Sequence, residues 1–226
     1  MFIGSRMMMK PSTISDPYFS NVVLLMHMDG ANGGAIFTDS SSFSRAMTAN
    51  GGATTSSAKV KFGTASFASN GSTTFVTTPT SSDFAFGTGD FTIEAWCFIT
   101  GGVENDVVGT QYAPGFLAKF GSAGMFIWVA GVNKTISLSV PSLNTWHHCV
   151  WERSAGVIYY AIDGVLYTGP ASTESIAAGS LPLAVSSYND GTGEFFNGYI
   201  DDLRITNGIA RYTSNFTPPT APFPNS

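Results

Sequence analysis

Apolar residues along this chain come in short runs that either fill a segment or alternate with polar neighbours, and no segment repeats them every three to four positions. Period-two alternation places successive side chains on opposite faces of a strand, so the pattern predicts an all-β chain. Phe91–Ile99, FTIEAWCFI, is the clearest strand. Phe91, Ile93, Ala95, Cys97 and Ile99 share one face, and Thr92, Glu94, Trp96 and Phe98 share the other. Apolar groups on both faces predict a central strand. Residues 143–167 read as a meander: runs 146–153 and 157–162 flank Ser154-Ala155-Gly156, and Asp163-Gly164 precedes a third run at 165–167. Asp-Gly between apolar β formers suits a two-residue type I′ turn, which needs positive φ at both central positions.

The same reading predicts strands at 22–28, 59–68, 73–78, 116–120, 125–130, 135–140, 183–187 and 195–206, with one short strand inside the loop 101–114. Helix is confined to single turns near 81–84 and 209–212. A meander this rich in Trp and Tyr must cover one face with a second sheet. At 226 residues, one large β sandwich accommodates the whole chain. We divide it into an extended arm at 1–20, a sandwich at 21–206, and a Pro-rich extended tail at 207–226 packed on the domain, with Pro218, Pro219, Pro222 and Pro224 excluding helix there.

Charge narrows the partners. Only 11% of residues are charged, and ten Lys and Arg against fifteen Asp and Glu give a net charge of −5 with no basic cluster, which leaves little to hold a nucleic-acid backbone. No run of about 18 apolar residues offers a membrane span, and residues 1–20 lack the apolar core of a signal peptide. Cys97 and Cys149 fall in apolar strands and are expected as buried free thiols. The arm carries Phe2, Ile3, Met7, Met8 and Met9, apolar groups suited to docking on a neighbouring subunit or partner protein, with a homo-oligomer expected.

FTIEAWCFI, TWHHCVWERSAGVIYYAIDGVLY and FFNGYIDDLRITNGIARYTSNFTPPTAPFP, with the opening DPYFSNVVLLMHMDGANGG and TDSS, resemble the laminin-G-like members of the concanavalin A-like lectin and glucanase superfamily, in the variety common in bacteriophage virion proteins. The resemblance covers residues 16–224 and is most specific in the closing motif. It implies an antiparallel jelly-roll sandwich of about 12–14 strands in two sheets. It also implies a virion structural protein, made in the host cytoplasm and displayed on the particle surface as a capsid decoration or tail-associated adhesion module. Virion proteins would then be its partners and host-surface glycans its candidate ligands. A free carbohydrate-binding module or lectin is the alternative, and a glycoside hydrolase the second alternative.

Sites must be argued from residues, because this fold hosts unrelated functions. The glucanase members carry an E-x-D-x-x-E strand motif that aims paired carboxylates at one bond, and it is absent. Glu94 stands alone in its strand, and the adjacent Asp201 and Asp202 are expected on opposite faces. No catalytic residue is assigned and a non-enzymatic protein is expected. His27 lies in an apolar run; of His147 and His148, one is expected in the core and the other on the surface, which rules out joint chelation. The resemblance leaves open a structural calcium at a loop rim, where Asp29, Asp39, Asp163, Asp190 and Asp201 sit at strand ends, but no ligand spacing appears and neither metal nor cofactor is assigned. For sugars, which stack on aromatic faces and bond through hydroxyls, the candidates are Tyr112 and the loop residues Tyr188, Asn189 and Asp190.

Overall fold

Phe91–Ile99 is a strand over its full predicted length, and all nine of its side chains are buried. A computed structural model of the chain describes residues 15–122, 124–187 and 191–226. In chain order the first strands are β1 (Val22–Met26), β2 (Thr48–Asn50), β3 (Thr54–Ser56), β4 (Ser66–Asn70), β5 (Phe75–Thr77) and β6 (Phe91–Ile99). Then come β7 (Asn105–Gly109), β8 (Phe116–Gly121), β9 (Gly124–Val129) and β10 (Val132–Asn133). The predicted meander is β11 (Trp146–Ser154), β12 (Val157–Ile162) and β13 (Val165–Ala171), and β14 (Ala184–Val185) and β15 (Asn197–Asn207) complete the set.

These strands make two antiparallel sheets. The eight-stranded sheet runs β13-β12-β11-β6-β15-β4-β3 with β1 beside β15, and the seven-stranded sheet runs β10-β9-β8-β7-β14-β5-β2. Phe91, Ile93, Ala95, Cys97 and Ile99 of β6 face Phe116, Ala118 and Phe120 of β8 across one core. Each large apolar side chain fully buried there contributes about 1.5–3 kcal/mol. Trp151, on β11, crosses the gap and donates from Nε1 to the Phe126 carbonyl at 2.9 Å. The chain is thus the all-β sandwich that alternation predicts.

The turn chemistry is met at Asp163-Gly164, where φ is 51° and 83°. A side chain at 164 would also collide with the Phe216 carbonyl of the tail, so glycine is required there twice over. Cys97 and Cys149 are free and buried on neighbouring strands. Burial pushes the Cys149 thiol well up, reinforced by Cys97 beside it. Thiol titration of native protein should therefore find almost no reactive group and denatured protein should yield two; two in the native state would contradict this packing.

Four local expectations are corrected. Residues 135–140 form no strand: Leu138 makes a single bridge to Gly124, and β10 takes the edge of the seven-stranded sheet beside β9. Residues 209–212 are not helical, because the Arg211 and Tyr212 amides donate to Glu152 Oε2 at 2.7 and 3.0 Å instead of to a preceding turn. The strand expected from 59 starts at Ser66, since the Lys61 and Phe62 amides are drawn onto Asp201 Oδ2 at 2.9 and 3.1 Å. Finally, Asp201 and Asp202 do not simply alternate. A bulge between Asp201 and Arg204, with Asp202 at φ 47°, breaks the period where β15 exchanges β4 for β1 as its neighbour.

The tail lies over the outer face of the eight-stranded sheet, and beneath it Glu94 is far from alone. Glu94 Oε1 accepts from Arg204 Nε and Nη2 at 2.9 and 2.7 Å, and Oε2 accepts from Tyr212 Oη at 2.6 Å and contacts His148 Nε2 at 3.1 Å. Asp16 ties Arg204 to Arg211. His148 is fully buried, but under the tail and not in the core between the sheets, while His147 is half-buried and bonds Asp163 Oδ2 at 2.6 Å.

Candidate functional site

On the outer face of the seven-stranded sheet, the residues of β8 and β9 that do not point inward build one hollow. Ladder pairing sets Asp106 of β7 beside Lys119 of β8, Lys119 beside Phe126 of β9, and Leu117 beside Trp128. A cavity of about 490 Å³ lies over this patch, lined also by Glu104, Tyr112, Ser122, Asn133 and Glu194. One wall is aromatic. Tyr112, 37% exposed, meets half-buried Trp128 with ring centroids 4.8 Å apart, and Phe126 lies 6.5 Å beyond.

The floor is charged. Lys119 is 2% exposed and contacts Glu104 Oε2 at 2.7 Å, Asp106 Oδ1 at 3.1 Å and Glu194 Oε2. Its contact with Asp106 is an ion-pair approach without hydrogen-bond alignment, because both Asp106 oxygens are buried without a hydrogen-bond partner. Burial pushes the Asp106 carboxyl up to about 8 against the pull of Lys119, with Glu194 and Glu104 adding repulsion. Lys119 is raised despite its burial, because its carboxylate neighbours favour the ammonium. At neutral pH the exposed acceptors are therefore Glu104 and Glu194, held apart from the aromatic wall by a buried cation. Such a hollow can stack an apolar ring face on Trp128 and Tyr112 while accepting hydroxyl protons on its floor. Both carboxylates contact Lys119 and keep further oxygen lone pairs free to accept hydrogen bonds.

Of the residues expected to bind ligand, Tyr112 lies in this hollow. Tyr188, Asn189 and Asp190, and the arm residues Phe2, Ile3, Met7, Met8 and Met9, fall outside the described residues. Sequence reasoning missed Trp128, Phe126 and Lys119, although a signal existed: in GMFIWV, Met125, Ile127 and Val129 take the core, which turns Phe126 and Trp128 outward. Glu104 and Glu194 carried no local signal.

Of the Asp residues expected at a calcium rim, Asp190 lies outside the described residues and the other four are taken up by N–H donors. Asp29 accepts from the Ala65 amide at 3.4 Å, Asp39 from the Leu25 and Ser41 amides at 3.2 and 3.0 Å, and Asp163 from the His148 amide at 3.0 Å. Asp201 holds the 61–62 loop. These carboxylates face N–H donors, and among the described residues no group of three His, Cys, Asp or Glu is placed to hold a metal ion.

The fold has solved counterparts. Domain 4 of AbnA, a GH43 extracellular arabinanase from Geobacillus stearothermophilus, in complex with arabinotriose, superposes with a TM-score of 0.61 at 15% identity, covering 83% of this chain and 93% of that one. The binding domain of Paraclostridial Mosquitocidal Protein 1 gives 0.60 at 12%, covering 85% and 50%. The binding domain of Botulinum Neurotoxin DC in complex with SialylT gives the same values. This chain spans about half the length of those toxin binding domains. Among curated proteins, none matches it in sequence. Residues 70–211, from β4 through the start of the tail, match the laminin-G family described as the Concanavalin A-like lectin/glucanases superfamily, and the chain belongs to that family.

Proposed function

We propose that this is a non-enzymatic, lectin-like carbohydrate-binding domain whose site is the hollow of Trp128, Tyr112 and the Lys119 cluster. The observation that carries the reading is the adjoining of an aromatic pair, exposed Tyr112 on half-buried Trp128, and fixed charged acceptors in one cavity of about 490 Å³, the combination that polyhydroxylated rings require. The solved arabinanase domain is in complex with arabinotriose and the toxin binding domain with SialylT, which supports the class of ligand without fixing the sugar.

On this reading the domain serves as an adhesion or decoration module on the surface of a phage particle, assembled with virion proteins as a homo-oligomer, and the sugars are those of the host surface. The closing motif FFNGYIDDLRITNGIARYTSNFTPP, which resembles virion members of the family, supports this role. Glycan-array screening followed by calorimetry tests the site. Trp128→Ala should weaken binding of the best glycan at least tenfold, since buried aromatic anchors dominate such contacts. An unchanged affinity would remove the hollow from consideration.

A further inference from the structure

The outer face of the eight-stranded sheet is covered row by row. The tail closes the rows of Glu152 and Glu94: the Arg211 and Tyr212 amides bond Glu152, and Tyr212, Phe216 and Phe223 ring His148 at centroid distances of 6.2, 5.8 and 6.3 Å. The loop before β4 closes the next, where Lys61 Nζ lies 3.6 Å from the Trp96 ring centroid and Phe62 packs edge-on against it. One row remains. Thr54, Ala68, Tyr199, Phe98 and Trp146 are successive ladder partners across β3, β4, β15, β6 and β11.

Three of the five residues are aromatic and two are small. Phe98 stands edge-on between Trp146 at 5.5 Å and Tyr199 at 5.8 Å, and both flanking rings are half-buried. Beside them the small side chains of Thr54 and Ala68 leave a hollow of about 410 Å³, rimmed by Asn70 and Thr100. The rim is fixed in advance: Asn70 Oδ1 accepts from the Ser72 and Thr73 amides at 3.0 and 2.9 Å, and Thr100 Oγ1 donates to Asn197 Oδ1 at 2.9 Å. The Thr54 and Tyr199 hydroxyls and the Trp146 indole N–H make no hydrogen bond among the described residues, so the row offers unused donors and acceptors next to ring faces. None of the residues lining the hollow is charged, and exposed Lys59 holds its Nζ 5.2 Å over the Phe98 ring beside it.

We propose that this row is a second carbohydrate site, selective for neutral pyranose or furanose sugars, on the sheet opposite the charged hollow. The inference rests on the carbohydrate-binding reading and extends it: the two sites lie on opposite faces of the sandwich, so one domain can cross-link glycans. An uncharged rim of fixed hydroxyls and amides, with spare hydroxyls at its floor, costs a neutral sugar little desolvation, and no residue lining the hollow is charged to pair with an anionic one.

The four tryptophans allow a site-by-site test. Indole N–H resonances of the full chain are assigned with Trp→Phe variants and followed during titration with arabinotriose, cellotriose, maltotriose and mannotriose. A neutral trisaccharide should shift Trp146 saturably in wild type and in Trp128→Ala. Ala68→Leu, which fills the hollow, should abolish the Trp146 response and leave that of Trp128. Thr54→Val, which keeps the side-chain shape and removes the hydroxyl, should weaken the Trp146 isotherm about fivefold, the loss of one hydrogen bond. Shifts confined to Trp128 and indifferent to Ala68→Leu would overturn the second site and leave the first intact. Silence at both tryptophans with every probe would overturn both. A Trp146 shift that depends on protein concentration without sugar would assign the row to a second copy of the chain and overturn the proposal.

Discussion

Glu94→Ala is expected to cost about 3–5 kcal/mol of folding stability, because removing one partner of a buried ion pair leaves the others charged and desolvated. Glu94 is fully buried, and burial alone would raise its carboxyl, but Arg204, His148 and Arg211 hold it well below the usual carboxylate range. Its loss leaves the Arg204 guanidinium, which lies over Phe223 at 3.8 Å, with Asp16 as its remaining carboxylate, and leaves the Tyr212 hydroxyl without its acceptor. Both groups anchor the tail, so the tail should loosen with the change. For a domain of this size the melting temperature should fall by roughly 10 °C, and proteolysis should cut first within 207–226. Glu94→Gln should be nearly as severe, since an amide cannot serve two guanidinium donors and a phenol as acceptor. A variant within 1 °C of wild type would show that the network contributes nothing net.

That network marks the limit of what could be read from the chain. Phe91–Ile99 was legible because strand alternation is a local property, and Asp163-Gly164 because a type I′ turn demands particular φ values. Glu94 does stand alone among carboxylates in its strand, but the network it joins was not legible because its partners lie on other elements: Arg204 is 110 positions away, and Asp16 lies 188 positions from Arg204. No pattern in a linear window joins them. TISLSV at 135–140 alternates as well as many strands do, but a strand also needs a free edge, and β10 already occupies that of β9. The bulge at Asp202 was hidden for a related reason, since it is imposed by the exchange of neighbours along β15.

The hollow was half legible. Tyr112 stood out in a turn-rich segment, and Trp128 follows once β9 is given an inward face. Glu104 and Glu194 meet at Lys119 only because β8 pairs with β7 and because the Asp106 amide bonds the Glu194 carbonyl at 3.0 Å, which brings the loop before β15 over the sheet. A charged cluster assembled from a strand and two loops has no sequence signature, while the aromatic wall on one strand has a partial one.

The buried carboxyls set the pH dependence. Asp106 is pushed up to about 8, and Glu152 and Asp201 each to about 7, all mainly by burial. His27 loses to burial but is raised on balance by its bonds to Asp202 and Asn225. A carboxyl raised on folding keeps its proton in the native state and loses it in the unfolded state near pH 4, so stability falls as pH rises from there through the native value. Raised His27 acts in the same direction: its contribution is full below its unfolded value of about 6.5 and is lost above. Glu94 and Asp16, both lowered, oppose this only at acid pH, where their stabilisation disappears. Stability should therefore peak near pH 5 and decline towards pH 8. Asp106→Asn keeps the shape and removes the largest of these titrations. Allowing for water penetration, we expect it to recover about 2 kcal/mol at pH 8 relative to pH 5, or about 4–8 °C in melting temperature. A wild-type melting temperature that rises steadily from pH 5 to 8, or an Asp106→Asn profile parallel to wild type, would show that Asp106 is ionised beside Lys119 and that the floor of the hollow carries the full charge of all three carboxylates.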